Sequence, residues 1–327
     1  MKKMLRNLSN PHRVPPEAAR LYKRAWVFRH PGFALGIFPS PEQGLMDYHI
    51  HENFSELVLV TEGTGEHEIA GRRYPIVAGD IFLVSGDQVH CYSDGYGLSL
   101  INVVFQWDEV VTQPYDIGEV AAFQSLFVID PANAAPDRFD HRFRMAADDF
   151  NAVLGIVREM DGLLNAPRPR PGMRFLAVSL FLSLIARVLN AYERTEDSGF
   201  TENVPHRLGT LVALMEQHCD RPFTVRMMCR EAGMSYASLF RCFRRYYHDS
   251  PVNYLLKQRL RRAEGLLRDA PELTVGEIAL ECGFSDSAYF ARKFHERYLL
   301  PPSVYRKKHR ENAWPTADSA GGTDERA

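Results

Sequence analysis

The sequence predicts an α+β multidomain protein: an N-terminal β-barrel with a helical segment behind it, then a C-terminal all-α domain carrying two helix-turn-helix units. Three observations carry this prediction. Short apolar and β-branched runs separated by turn-forming residues fill the first third of the 327-residue chain, the spacing of a barrel or sandwich. Near the C-terminus a pattern of two short helices occurs twice, about fifty residues apart. Charge, finally, is split between the halves. Residues 205–310 hold 19 Lys and Arg against 11 Asp and Glu, a net of +8, whereas residues 1–204 hold 19 against 26, a net of −7. The overall balance of −2 hides a basic module joined to an acidic one.

The opening segment MKKMLRNLSNPHRVPPEAAR is basic without an apolar core, so no secretory signal is predicted. Strands are read at Leu57-Val58-Leu59-Val60, at Ile81-Phe82-Leu83-Val84 and from Leu98 to Phe105, with turns at 61–65, 70–73 and 93–97. The barrel region is bounded at 20–140, its last part (108–140) irregular around Pro131 and Pro136. Two helical patterns follow within 141–195, at about 145–165 and 172–194, divided by the Pro-rich stretch 166–172 that no helix crosses. Their apolar positions, among them Phe175, Leu176, Val178, Phe181, Ile185 and Leu189, exceed what one face against a barrel requires, so this segment is expected to form a homodimer. The apolar run from Phe175 to Leu189 is shorter than the roughly 20 residues of a membrane span and contains Arg187, which reads as a buried or interface helix and not as a membrane segment. Residues 196–205 read as a linker, 206–310 as the all-α domain and 311–327 as a disordered tail. The cysteines, at 91, 219, 229, 242 and 282, have neither a metal-ligand nor a disulfide-framework spacing; reduced thiols in a cytoplasmic protein are expected.

The repeat is specific. Its first copy runs Thr224-Val225, then Glu231-Ala232-Gly233-Met234-Ser235, Leu239-Phe240-Arg241-Cys242-Phe243 and Pro251-Val252-Asn253-Tyr254. The second runs Thr274-Val275, then Glu281-Cys282-Gly283-Phe284-Ser285, Phe290-Ala291-Arg292-Lys293-Phe294 and Pro302-Ser303-Val304-Tyr305. In each copy a Thr caps a short helix, a Gly suited to positive φ ends it, and a second helix begins at Ser. The offset between copies is 50 up to that Ser and 51 after it. Between them, residues 254–268 set apolar side chains at 255, 256, 260, 263, 266 and 267 on one face, the mark of a linking helix. The second helix of such a unit lies in a DNA major groove, and the net +8 of the region supplies phosphate affinity, so double-stranded DNA is the expected partner.

In the barrel region, His49-Ile50-His51 is followed by Glu56 and later by His90. His49 and His51 alternate along a strand and so share a face, and three imidazoles with a carboxylate suit Fe, Mn, Ni or Zn. Three readings stay open. The four side chains hold a divalent metal, they line an effector pocket with Tyr92 and Trp107 as stacking or hydrogen-bonding partners, or they hydrogen-bond structurally. The DNA-binding reading itself requires no cofactor.

Residues 205–310 resemble the DNA-binding domain of the AraC/XylS family of bacterial transcriptional regulators, most specifically in Ile278-Ala279-Leu280-Glu281-Cys282-Gly283-Phe284-Ser285-Asp286 followed by Phe290, Arg292, Phe294, Pro302 and Tyr305. The family pattern implies base contacts from Ala237, Ser238 and Arg241 in the first unit and from Ser287, Ala288 and Arg292 in the second. It makes Ser235 and Ser285 helix caps near phosphate, gives Arg244, Arg245 and Lys293 to the DNA backbone, and puts Leu239, Phe243, Phe290 and Phe294 in the core. For Arg241 and Arg292 a phosphate contact or an ion pair with a neighbouring acid is the alternative. His248 and Leu299 stand where the family usually has Gly after the recognition helix, so a changed helix exit is expected. His49, His51, Glu56, Gly63, Gly79-Asp80 and His90 are similar to the cupin barrel pattern, from which Ser85, Asp87 and Asp94 depart. The stretch from His49 to His90 resembles the rhamnose-regulator branch of the family, which implies a sugar-type effector. The resemblance further implies an activator that contacts RNA polymerase, and no catalysis. A metal-dependent cupin enzyme would leave the C-terminal half without a task, and a constitutive architectural protein would leave the inward polar cluster without one.

Overall fold

Alternation along the central strand shows how the first unit is built. Val58 and Val60 point to one side and Leu57 and Leu59 to the other, and all four are buried, so the sheet has apolar layers on both faces. The computed structural model describes residues 19–43, 46–69, 71–86, 88–112, 115–129, 142–196 and 204–311. The chain divides into two units, Met1–Ala213 and Leu214–Ala327. In the first, one sheet comprises β1 (Arg20–Tyr22), β2 (Leu35–Ser40), β3 (Met46–His51), β4 (Ser55–Ile69), β5 (Arg72–Val77), β6 (Asp80–Val84), β7 (His90–Phe105) and β8 (Arg142–Arg144). The order is β1-β3-β7-β4-β6-β8, with β2 beside β7 and β5 beside β4.

β4 and β7 are long because the stretches 61–65 and 93–97, expected as turns, are bent parts of continuous strands. The register between β4 and β7 shifts three times between Val60 and Glu66. Gly63 (φ +71°) lies so close to Gly97 (φ +57°) that a Cβ on Gly63 would sit 2.2 Å from the Gly97 carbonyl oxygen. The two glycines bend the strands together, and the first half of β7 thereby pairs with β3 while its second half pairs with β2. The result is a curled, cupin-like half-barrel whose interior holds Val58, Val60, Ile76, Phe82, Val84, Leu98 and Leu100.

The outer face is covered by helices. α1 (Arg24–Val27) precedes β2, and α2 (Trp107–Val110) and α3 (Ala121–Phe123, continued by a π turn to Val128) follow β7. These short helices occupy part of the stretch expected to be irregular, and they bury Val110, Ala122, Phe123 and Leu126. The loop expected around Pro131 and Pro136 lies outside the described residues. α4 (Ala147–Leu164) and α5 (Met173–Glu196) complete this layer, with Gly172 at φ +80° between them. By length and composition alone, Met173–Arg194 is apolar enough to cross a membrane, longer than the run read from the sequence. In the fold, Ala177, Phe181, Leu184, Ile185, Val188 and Leu189 are spent on the sheet's outer core, and Phe175 and Leu176 remain exposed.

The second unit is helical: α6 (Val204–Gln217, which contains the unit boundary), α7 (Val225–Glu231), α8 (Tyr236–Tyr246), α9 (Pro251–Asp269), α10 (Val275–Glu281), α11 (Ser287–Tyr298) and α12 (Pro302–Glu311). Local chemistry fixes each start. Thr224 and Thr274 cap α7 and α10, the latter in a full capping box with Glu277, and Ser250 caps α9 with Pro251 as its first residue. Gly233 (φ +59°) and Gly283 (φ +79°) end the first helices as expected. Leu239, Phe243, Phe290 and Phe294 are fully buried, each contributing about 1.5–3 kcal/mol through removal from water. The linker expected at 196–205 is described only at its ends, where α5 stops at Glu196 and α6 starts at Val204. Of the tail expected at 311–327, the described residues include only Glu311 at the end of α12.

Candidate functional site

β3, β4 and β7 bring the predicted histidines together inside the half-barrel. His49 pairs with His90 across β3 and β7, and the rings lie 4.0 Å apart, centroid to centroid. His51 Nε2 is 3.3 Å from His90 Nε2, and Glu56 Oε2 lies 3.9 and 4.0 Å from these same two nitrogens. His49, His51 and His90 present ring nitrogens all within 4.8 Å of one another. Tyr92 joins the group, stacked against a further histidine, His67, at 4.9 Å. The sequence reading missed His67 as a site residue. Its separation from Glu56 is odd, so plain alternation sends the two to opposite faces; the register shifts after Val60 restore them to one.

Burial governs the electrostatics. Desolvation lowers His49, pushes His51 and His67 down to about 3 and takes His90 well below its usual value, with the neighbouring imidazoles adding to the effect on the last three. Burial raises Glu56 to about 8 and Tyr92 well above the ordinary phenol range. The cluster is therefore neutral imidazole beside a carboxyl that resists ionisation. His51 Nδ1, Glu56 Oε2 and the Tyr92 hydroxyl are buried with no hydrogen-bond partner, a costly state unless something else meets them.

A transition-metal ion fits this donor set. Tetrahedral metal–nitrogen bonds of about 2.0–2.1 Å place neighbouring ligand nitrogens roughly 3.3–3.4 Å apart, and the His51–His90 pair stands at 3.3 Å. His49 Nδ1 donates to the Asp47 carbonyl at 2.9 Å, which leaves its Nε2 lone pair free. Neutral imidazole is the form that binds metal.

Trp107 is not part of the cluster. It opens α2 and packs with Phe105, Phe123, Phe127 and Phe181 in the outer layer, because β7 ends at Phe105 and the helix turn that follows carries the ring to that side. Trp107 and His51 do share the walls of an open groove with Glu52, Asn53, Phe54 and Gln106. The Arg24 side chain bonds Gln106 and Glu109, and its backbone N–H donates to Glu52 at 2.9 Å, fixing the rim of that groove.

In the second unit, most residues assigned to DNA lie on the exposed first turns and flanks of α8 and α11. Ser235 caps α8, accepting from Ser238 N–H at 3.3 Å, and Ala237, Arg241, Arg244 and Arg245 are exposed. Arg241 donates to Ser238 Oγ at 3.3 Å, and Ser238 Oγ is 3.0 Å from Ser235 Oγ. In the second unit Asp286, not Ser285, is the cap, accepting from Ala288 N–H at 2.8 Å. The offset of 51 beyond the Ser is the reason: the extra residue pushes the helix start one position on. Ser287, Ala288 and Arg292 are exposed, with the Arg292 guanidinium over the Tyr289 ring at 5.5 Å. Among the described residues neither Arg241 nor Arg292 is in an ion pair, whereas Lys293, half-buried, is held by Glu296 at 2.6 Å. Tyr236 and Tyr289, exposed in the first turns of the two helices, went unassigned in the sequence reading. The helix exits keep their left-handed form without glycine: His248 has φ +53° and Leu299 φ +58°, so the changed exit expected there does not occur.

Comparison with known proteins agrees with both halves. Residues 30–111 match the AraC-like ligand binding domain family and residues 228–308 match a helix-turn-helix domain family. The chain is 26% identical over 293 residues to the HTH-type transcriptional activator RhaR of Enterobacter sp. (strain 638), covering 90% of this chain and 98% of that one. It is 28% identical over 273 residues to the HTH-type transcriptional activator RhaS of Salmonella paratyphi B, covering 84% and 92%. A solved AraC-type DNA-binding regulator from Chromobacterium violaceum is 28% identical, covering 33% of this chain and 95% of that one at a TM-score of 0.31. This chain joins an AraC-like ligand-binding domain to an AraC-type helix-turn-helix domain.

Proposed function

We propose, from this AraC-type pairing of domains, that the chain is a cytoplasmic, sequence-specific DNA-binding transcriptional activator whose N-terminal half-barrel senses a small molecule. The observation that carries the reading is the pair of capped helices α8 and α11, each exposing an arginine at the same repeat position within a region of net +8. The relatives named RhaR and RhaS are transcriptional activators spanning nearly the same length, and neither domain assignment calls for a catalytic residue. Arg241 and Arg292 read base edges, Ala237, Ser238, Ser287 and Ala288 flank them, and Arg244 and Arg245 hold phosphate. A sugar-type effector suits the groove beside His51, where the Trp107 ring, Asn53, Glu52 and Gln106 combine an aromatic face with hydroxyl-binding groups. The exposed Phe175 and Leu176 support a homodimer, and an activator of this design contacts RNA polymerase. The test is binding of the full chain to duplexes selected from a random pool. Enrichment of one sequence, with affinity falling steeply as salt rises, is expected; sequence-independent or salt-insensitive binding defeats the reading.

The donor set favours one addition: His49, His51, His90 and Glu56 hold a divalent transition metal that cross-links β3, β4 and β7. The buried Glu56 Oε2, which has no hydrogen-bond partner, supports it. Elemental analysis showing less than one metal per chain after reconstitution would remove it.

A further inference from the structure

His67 stands apart from the predicted quartet, yet packing holds it tightly in place. Its ring is fully buried between two others, Phe82 at 4.6 Å and Tyr92 at 4.9 Å, tilted only 24° and 22° from them. This sandwich fixes the plane of the imidazole and directs its Nε2 edge at a neighbour. That neighbour is His90, whose Nδ1 lies 3.2 Å from His67 Nε2.

The contact has a consequence for the other side of the His90 ring. Neutral imidazole carries one N–H, and the two nitrogens are told apart by what each one meets. When His67 Nε2 accepts, the His90 proton sits on Nδ1, and His90 Nε2 is left as a bare lone pair. That lone pair faces His51 Nε2 at 3.3 Å and Glu56 Oε2 at 4.0 Å. Opposite this, the backbone carbonyl of Asp47 does the same for His49 by accepting from its Nδ1. With His67 as the acceptor, two of the three ligands are turned to the metal-binding tautomer by their outer contacts, one by a carbonyl and one by His67.

We infer that His67 is a positioning residue for the metal centre: it accepts the Nδ1 proton of His90, fixes that tautomer and aims His90 Nε2 at the ion. The inference rests on the metal reading of the quartet and extends it to a residue outside it. Outer partners of metal-bound histidines change metal affinity by about 10–100-fold when removed.

Full-length protein, stripped of metal, is titrated with cobalt(II), and the visible absorption of the bound ion gives stoichiometry and affinity. His67→Phe keeps a ring between Phe82 and Tyr92 but removes the acceptor, and His67→Gln keeps an acceptor in reach of His90. We expect one cobalt per wild-type chain, binding 10–100-fold weaker with an altered spectrum in His67→Phe, and affinity within a few-fold of wild type in His67→Gln. Nitrogen chemical shifts of His90 report its tautomer independently, Nδ1–H in wild type and His67→Gln, and a mixture in His67→Phe. Wild-type affinity and spectrum in His67→Phe, or equal losses in both variants, would overturn the assignment while leaving the metal reading intact. No cobalt uptake by wild type would overturn both. DNA affinity of the same preparations tests the regulator reading separately.

Discussion

The histidine cluster and the recognition helices both hold nitrogen donors ready for a partner, and they do so in opposite settings. In the half-barrel the donors are buried, neutral and packed by rings, and residues far apart in the chain fix them. On α8 and α11 the donors are exposed, charged and steadied by a residue three positions earlier, Ser238 under Arg241 and Tyr289 under Arg292. Burial costs a protonatable group its charge, and exposure costs a charged group its fixed position. The first arrangement suits a partner that must be chosen by geometry, the second one attracted from a distance.

Titration should separate the two regions most strongly. In the metal-free protein His51 and His67 have folded values near 3 against 6.5 unfolded, and His49 and His90 are lowered too. The unfolded chain then binds more protons between about pH 3 and 6.5, so stability rises with pH over that window, by up to about 1.4 kcal/mol per pH unit each for His51 and His67. Glu56 has the opposite sign: its folded value near 8 exceeds 4.5, so its contribution fades as pH climbs towards 8. Urea midpoints should peak near pH 6.5 for the first unit, and a flat profile down to pH 4.5 would break the contrast.

Next in size is the loss of base reading. Arg292→Ala should relax preference at one or two base pairs by about 1–3 kcal/mol while leaving the melting temperature unchanged, since the side chain is exposed. Arg241→Ala should do likewise in the other half-site. Uniform weakening on all sequences would make either one a phosphate contact.

Much of the second unit was legible because its signals are local. Thr caps, helix-ending glycines and a 3.6-residue period act within a few residues, so α7 to α11 and their buried phenylalanines followed from Thr224, Gly233, Phe243 and their repeats. Asp286 escaped because one inserted residue moves a cap without altering the pattern around it. The half-barrel was legible only where strands run straight: His49, His51, Glu56 and His90 converge, while His67 was hidden behind bulges and Trp107, just past the end of β7, is carried into the outer layer by the first turn of α2. Register shifts are set by the partner strand, and no single-strand pattern reports them.

Smaller effects sharpen the comparison within the helical unit. Asp286→Ala should cost about 1 kcal/mol of stability and Ser285→Ala almost nothing, measured by thermal unfolding. Equal costs would return the cap to Ser285. Smallest of all, Leu299→Gly should stabilise by up to about 1 kcal/mol, because a 78% exposed leucine held at φ +58° gives up strain and little packing. Destabilisation would mean that this leucine is held by contacts that outweigh its strain.

The paired bend at Gly63 and Gly97 makes the count of residues between Glu56 and His67 as much a part of the site as their identities. Removing one residue between Glu56 and His67 would turn His67 to the face where Glu66 now stands and bring Glu68 into its place beside His90, even with every side chain of the cluster retained. Length changes in this stretch of homologous chains should therefore arrive in compensated pairs, one in each strand, and a chain with an unmatched gap there will have lost its fourth imidazole whatever letter stands at position 67.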